Sequence, residues 1–139
     1  MELTGRVIYP GTGAGAVLVL DAPLSLWGGV DPASGVVIDP RHPQAGVALG
    51  GRIVVMERAV GSSSSSAIML ELLRNGVAPA GLVLGDTDAI LILGILVAKE
   101  LGYPTIPVVE IDLSDGTPEW ATGAPASLTE GVLEVGPQS

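Results

Sequence analysis

Five consecutive serines, Ser62 to Ser66, follow Gly61 and precede apolar residues at helical spacing. The apolar stripe within Ile68 to Leu73 predicts a helix that ends near Asn75. A flexible linker is a poor explanation, because a strand-like segment precedes the serine tract and an amphipathic helix follows it. A helix start explains it better, since serine is a favoured N-cap and first-turn amides attract negative charge. A single serine is enough to cap a helix. Five serines therefore also favour a loop that contacts a substrate, in which one hydroxyl takes part in the reaction.

Three residues outside the tract are candidates for a site or an interface: Trp27, Asp31 and His42. Trp27 lies beside two glycines in a chain with two Trp, two Tyr and no Phe, so it is either a core residue or the wall of a binding surface. Asp31 precedes a proline, and an Asp-Pro turn explains it structurally. His42 could act as a general base, although a loop histidine held by backbone hydrogen bonds is the simpler interpretation.

The segment GTGAGA, residues 11–16, matches the dinucleotide pattern G-x-G-x-x-G/A. That pattern binds a pyrophosphate only where a strand precedes it and a helix follows it. Here residues 17–20 are typical of a strand. The sequence therefore predicts a glycine turn joining strands at 5–9 and 16–20, and disfavours nucleotide binding.

The composition excludes several classes of function. There is no cysteine and one histidine, which excludes an iron–sulfur cluster, a thiolate zinc site or a multi-histidine metal site held by this chain alone. A formal charge of −9 argues against nucleic acid or an anionic membrane as a partner. The apolar run 89–98 is far shorter than the ~20 residues that span a bilayer. The N-terminal residues show no secretory signal, so we expect the cytoplasm.

The second half of the chain predicts a small parallel sheet with covering helices. Predicted strands at 51–56, 81–84 and 106–109 alternate with two helices, the second capped by Asp86 or Thr87 and ending near Leu101. The first half is β-rich without helices, with one short strand at 35–38. Residues 112–127 are turn-like, and a last strand is expected at 131–135. We expect one α/β domain over residues 1–139.

Five segments together resemble a known family. They are LSLWGGVDPASGVVID (24–39), HPQAG (42–46), GGRIVV (50–55), GSSSSS (61–66) and NGVAPAGLVL (75–84). As a set they are similar to the small subunit of aconitase X, the equivalent of the aconitase swivel domain. The resemblance implies a swivelling β/β/α domain, with the β-rich half packed on the small parallel sheet. It also implies a hydro-lyase in which a larger, cysteine-containing catalytic subunit holds an iron or iron–sulfur centre.

The resemblance also implies roles for the tract. Ser62, the first serine after the glycine, corresponds to the proposed proton-abstracting base of the family. Gly61, Ser63 and Ser64 would then bind a substrate carboxylate. The activities known for the family are dehydration of cis-3-hydroxy-L-proline and of mevalonate 5-phosphate. Val60 stands where the family usually has a basic residue, which favours a hydroxyproline-like substrate over a phosphorylated one. The alternative from another class is a non-catalytic, anion-binding swivel module.

Overall fold

The computed structural model describes residues 2–60, 64–113 and 122–137. These residues form nine strands and three helical segments. The strands are β1 (Glu2–Thr4), β2 (Arg6–Tyr9), β3 (Thr12–Val19), β4 (Leu24–Ser25), β5 (Ile53–Val60), β6 (Gly81–Asp86), β7 (Val108–Glu110), β8 (Pro125–Thr129) and β9 (Val132–Val135). The helical segments are α1 (Leu26–Gly29), which is a kinked turn, α2 (Ser65–Arg74) and α3 (Ala89–Glu100).

The centre of the fold is a parallel array in the order β3-β5-β6-β7. Val54 of β5 pairs with Leu18 of β3 on one side and with Leu82 of β6 on the other. These strands are near-continuous apolar runs because both of their faces are buried. The parallel sheet expected from the sequence is confirmed, and it is joined by β4 alongside the last residues of β5.

The sheet closes on itself at the N-terminal segment. Its strand order is β1-β9-β8-β3-β5-β6-β7-β2, so the first and second strands lie at opposite ends of the order. Only Gly5 separates them in the chain, and its amide donates to the Gly131 carbonyl at 2.8 Å. A single extended segment therefore pairs with β9 through its first half and with β7 through its second.

Two apolar clusters fill the molecule. The first lies between the sheet and helices α2 and α3, and includes Leu18, Val54, Leu82, Met69 and Ile95. The second is lined by the opposite faces of the strands, and includes Val17, Ile53, Val83, Leu128 and Leu133. Adjacent residues of one strand alternate between the clusters, as the two-residue period of a strand requires. This architecture matches the expected swivelling β/β/α domain.

The expected glycine turn at 11–16 is wrong. Gly13 and Gly15 lie inside strand β3, which pairs with β5 and β8 and not with β2. A Cβ at Gly13 would collide with the Ala80 carbonyl oxygen, and one at Gly15 with that of Gly51. The glycines therefore permit close backbone approach. The segment is followed by more strand, so the helix that a dinucleotide site needs is not present there.

Four other expectations need correction. Strand β8 begins within residues expected to be turn-like, and the kinked α1 interrupts a half expected to lack helices. The strand expected at 35–38 is reduced to isolated bridges from Val36 and Val37. The second helix is capped by Asp88, whose carboxylate accepts from the Ile90 amide at 2.9 Å. Part of the expected turn-like stretch, residues 114–121, lies outside the described residues.

Candidate active site

The serine tract joins the carboxyl end of β5 to the first turn of α2. Gly61, Ser62 and Ser63, which the sequence singled out, lie outside the described residues. Ser64 occupies the N-cap position, and its carbonyl accepts from the Ala67 amide at 3.1 Å. Its hydroxyl makes no capping bond, so the helix begins without the side-chain cap that the serines suggested. The expectation that α2 begins within the tract is confirmed.

Ser65 points away from solvent. It is 2% exposed and lies on the same side of α2 as Ile68, Met69 and Leu72. Within the described part of the chain its Oγ has no hydrogen-bond partner. A buried hydroxyl without a partner costs free energy, so this one needs an explanation.

The loop that carries Trp27 runs beside the end of β5. Ser25 of β4 pairs with Val60, the residue just before the tract, and the Ser25 hydroxyl donates to the Trp27 carbonyl at 3.0 Å. Gly28 follows with a φ of 78°, a conformation that favours glycine. Trp27 is 58% exposed. It is thus the wall of a surface rather than a core residue.

An open pocket lies beside this tryptophan. Its lining residues come from the α1 turn and from the loop after it, namely Ser25, Trp27, Gly28, Gly29, Asp39, Pro40 and Arg41. The Arg41 guanidinium lies 3.3 Å from the Asp39 carboxylate and is largely exposed. An indole and a guanidinium on one surface can hold a small polar molecule or a partner chain. No sequence pattern indicates Arg41, because its position depends on how a long loop folds back.

The structure does not bring Asp31 to the tract. Its carboxylate accepts from the Ala33 amide at 3.1 Å and from the Ser34 hydroxyl at 2.8 Å. The Ser34 hydroxyl first, and then the Ala33 amide, hold the pKa of the Asp31 carboxyl below its ordinary value. The adjacent Pro32 carbonyl accepts from Asn75, at the far end of α2. Asp31 therefore organises a turn about one helix length from the serines.

His42 holds two loops together. Its Nδ1 accepts from the Gln44 amide at 3.0 Å, so Nε2 carries the proton and donates to the Ala22 carbonyl at 3.0 Å. The ring is 7% exposed. Because backbone groups occupy both nitrogens, the imidazole is not available as a base. This is the simpler of the two interpretations of this histidine.

An acidic rim surrounds the carboxyl ends of the parallel strands. Glu57, Asp86 and Asp112 line one shallow pocket there together with Gly85 and Leu113. This end of the sheet also carries Glu110, whose carboxylate accepts from the amide and hydroxyl of Thr87 and lies 3.0 Å from the Arg6 guanidinium. Those contacts, the Thr87 hydroxyl above all, hold the pKa of the Glu110 carboxyl below its ordinary value, although partial burial opposes them.

Few cations of this chain are placed to meet an anionic substrate. The chain has six Lys and Arg residues. Arg52 donates to the carbonyls of Ala16 and Val17 at the other end of the sheet, and Arg74 pairs with Glu71. Arg58 lies on β5 two residues before Val60, with Asp86 as its register partner, and Arg41 lines the pocket beside Trp27.

The residues that the structure describes do not fit a metal centre. There is no cysteine, and the one histidine uses both ring nitrogens on backbone groups. Over residues 2–60, 64–113 and 122–137, no three His, Asp or Glu side chains come close enough together to hold a metal ion. The same part of the chain has no helix long and apolar enough to cross a membrane.

Comparison with known proteins identifies the family. The sequence profile of the aconitase X swivel domain matches residues 2–135. The chain belongs to that family. The resemblance found from its motifs is thereby confirmed, and so is the fold that it implied.

Named relatives of two kinds share the swivel domain. The chain is 39% identical over 130 residues to a cis-3-hydroxy-L-proline dehydratase of Pseudomonas aeruginosa, a match that covers 94% of this chain and 22% of that protein. It is 36% identical to the phosphomevalonate dehydratase small subunit of Methanothermobacter thermautotrophicus, covering 81% of this chain and 84% of that one. The chain spans about a fifth of the length of the cis-3-hydroxy-L-proline dehydratases it matches.

A solved structure has the same swivel fold. A chain in the crystal structure of Thermococcus kodakaraensis aconitase X, in its holo form, superposes with a TM-score of 0.84 at 31% sequence identity. The superposition covers 97% of this chain and 98% of that one. The likeness extends over the whole swivel domain, including the parallel strands that lead into α2 and α3.

Proposed function

We propose that this chain is the swivel subunit of an aconitase X-type hydro-lyase, active only with a larger catalytic subunit. The observation that carries the proposal is the family match over residues 2–135, with the serine tract at the carboxyl end of β5 and the start of α2. We place the iron or iron–sulfur centre expected for the family in the larger, cysteine-containing subunit, because the residues of this chain do not fit one.

We assign the base to Ser62. Its deprotonated Oγ takes a proton from the carbon next to the one that bears the leaving hydroxyl. The electrons of that C–H bond form the new double bond as the C–O bond breaks. The hydroxyl takes a proton from an acidic group of the larger subunit and leaves as water. The N-terminus of α2, which begins within the tract, would stabilise the serine alkoxide through its dipole.

The residues on either side of Ser62 would bind the substrate. Gly61, Ser63 and Ser64, with the loop amides, would hold a substrate carboxylate at the same helix end. Trp27 and Arg41 lie beside the strand that leads into the tract, on a surface that would face the larger subunit. The acidic rim formed by Glu57, Asp86 and Asp112 would repel an anion, so the larger subunit would supply most of the cations.

Replacement of the base tests this assignment. With the larger subunit present, Ser62→Ala should lower kcat at least about a hundredfold, as loss of a general base does, while the complex still assembles. Ser66→Ala, the same change within α2, is the matched control and should retain most of the turnover. Near-normal turnover by Ser62→Ala would exclude Ser62 as the base.

The substrate we favour is a small hydroxy acid similar to cis-3-hydroxy-L-proline. Apolar Val60 precedes the glycine of the tract, and few cations of this chain lie near it, which disfavours a phosphate. The phosphomevalonate dehydratase small subunits support the second candidate, mevalonate 5-phosphate, since the match covers most of both chains. Assaying the reconstituted pair with both compounds separates the two. Turnover of neither, with a carboxylate still bound by the isolated chain, would favour the non-catalytic module.

A further inference from the structure

The outer face of α3 is apolar and open to solvent. Its side chains are between 36% and 55% exposed and form one stripe that continues to the C-cap, namely Ile90, Leu93, Leu96, Val97 and Leu101. The inner face, with Leu91, Ile95 and Ala98, is fully buried against the sheet and α2. The helix is thus apolar all round, although only one side is covered within the described part of the chain.

A surface helix normally carries charged or polar residues on its outer face. In α3 the charged residues are Lys99 and Glu100, both in the last turn. A contiguous apolar stripe of this size is typical of a protein interface, because water covers it at a free-energy cost. Five side chains of this kind would form the centre of an interface, where desolvation stabilises a complex most.

Helix α3, which carries the exposed stripe, adjoins the first turn of α2 through its opposite side. At Gly94 the helix crosses the first turn of α2 so closely that a Cβ would collide with the Ser66 carbonyl oxygen. The N-terminus of α3 follows β6, at the same end of the sheet where β5 leads into the serine tract. A chain that covers this stripe is therefore placed to reach the tract as well.

We infer that the exposed stripe of α3 docks on the larger catalytic subunit, an inference that rests on the proposed function. In the Pseudomonas aeruginosa relative the matched segment is 22% of the protein, so a much larger body of chain accompanies the same domain. Residues 114–121 of this chain are less suited to cover the stripe. Leu113, which immediately precedes them, belongs to the apolar cluster on the face of the sheet opposite α3.

A second copy of this chain is also a poorer occupant, for reasons of charge. Each copy carries a formal charge of −9. Asp88 bounds one end of the stripe and Glu100 the other. In two-fold antiparallel packing of two α3 helices, each Asp88 would meet the partner copy's last turn, where Lys99 offsets Glu100. It is therefore the net charge of −9 on each copy that disfavours a second copy. The site already requires a partner with cations, and such a partner complements this charge.

The test is a binding measurement between the purified chain and the larger dehydratase subunit of the same organism. The double variant Leu93→Glu, Leu96→Glu should raise the Kd at least tenfold, with an unchanged far-UV CD spectrum. Val7→Glu is the control, since Val7 is 44% exposed but lies on β2, and its Kd should stay within twofold of wild type. Leu93→Ser with Leu96→Ser replaces the first pair if the glutamates prevent folding.

Each alternative has its own outcome. A Kd within twofold of wild type for the folded double variant would overturn the docking inference and leave the proposed function standing. Sedimentation of the wild-type chain as a dimer that the double variant converts to a monomer would assign the stripe to a second copy. If Ser62→Ala retains turnover while the double variant binds the larger subunit more weakly, the docking inference stands and the assignment of Ser62 as the base is overturned. Failure of the wild-type chain to bind the larger subunit would overturn both.

Discussion

Ser65 carries a hydroxyl on the buried side of α2, where the next residues on that side are apolar. Such a group is destabilising unless a partner compensates for its lost hydration. Residues 61–63, which precede Ser64 and Ser65 in the chain, belong to the proposed catalytic loop. Whether the Ser65 hydroxyl has a partner therefore shows whether the proposed catalytic loop is hydrogen-bonded to α2.

Ser65→Ala should stabilise the isolated chain by about 0.5–1 kcal/mol, because it removes an unpartnered buried hydroxyl and alanine has the higher helix propensity. Chemical denaturation measures the free energy of unfolding. Ser66→Ala gains the same propensity at a half-buried position, where no unpartnered buried hydroxyl is removed, so it should gain less. A destabilised Ser65→Ala chain would instead indicate a hydrogen bond from Ser65 to the loop.

The position of the serine tract between a strand and a helix could be predicted from the residues on either side of it. The proximity of Trp27 to the tract could not, since it depends on the pairing of Ser25 with Val60 across a long loop. Turn chemistry predicted part of the role of Asp31. For His42 the sequence allowed two roles, and only the positions of the Ala22 carbonyl and the Gln44 amide distinguish them.

At the scale of elements, Glu110 links three parts of the fold at the edge that carries the site. It extends from β7, accepts from Thr87 in the connection to α3, and pairs with Arg6 of β2. These contacts require the ionised carboxylate, which is why the pKa of Glu110 is lowered in the folded chain. The position of α3, and with it the exposed stripe, therefore depends on this carboxylate.

The pKa of Glu110 has a consequence for stability at acid pH. The folded-state pKa lies below the ordinary value of 4.5, so the unfolded chain binds the proton first. The contribution of the ionised Glu110 to the free energy of unfolding is fully present above pH 4.5. It is lost as the pH falls through the folded-state pKa. Glu110→Gln should therefore be less stable than wild type at pH 7, with the difference narrowing towards pH 3. Urea unfolding between pH 3 and 7 measures this, and a constant difference would contradict it.

The strands of the parallel array could be predicted because long apolar runs are typical of strands buried on both faces. Strand β8 (PASLT) was missed, since a proline and small polar residues are typical of turns. Strand β3 was misplaced for a different reason. Its glycines are required by backbone neighbours, Ala80 and Gly51, that are distant in sequence, and no local pattern reveals such a requirement.

At the scale of the whole molecule, closure of the sheet through Gly5 leaves neither β1 nor β2 as an ordinary free edge. A Cβ at Gly5 would collide with the Glu110 carbonyl oxygen and lie 2.5 Å from Val109 Cγ1. Any larger residue at this position would push the N-terminal segment away from β7. Two strand edges would then be exposed, and exposed edges promote association between chains.

Gly5→Ala should therefore lower the free energy of unfolding by about 1–3 kcal/mol, the usual cost of overpacking. It should also increase the fraction of oligomers seen by size-exclusion chromatography. Gly50→Ala makes the same chemical change where the nearest atom to the new Cβ is 3.3 Å away, and we expect a smaller loss. Equal stability of the two variants would show that closure at Gly5 tolerates a methyl group.

The closure also has a consequence for synthesis on the ribosome. Residues 2–4 of β1 find their partners in residues 132–134 of β9, almost at the other end of the chain. Strand β1 must therefore wait until β9 has been translated, and contacts of such long sequence separation form slowly. The parallel strands and helices can assemble earlier, while the N-terminal strand stays unpaired. A nascent chain stalled before β9 emerges should retain a protease-sensitive N-terminus, and release of the full chain should protect it.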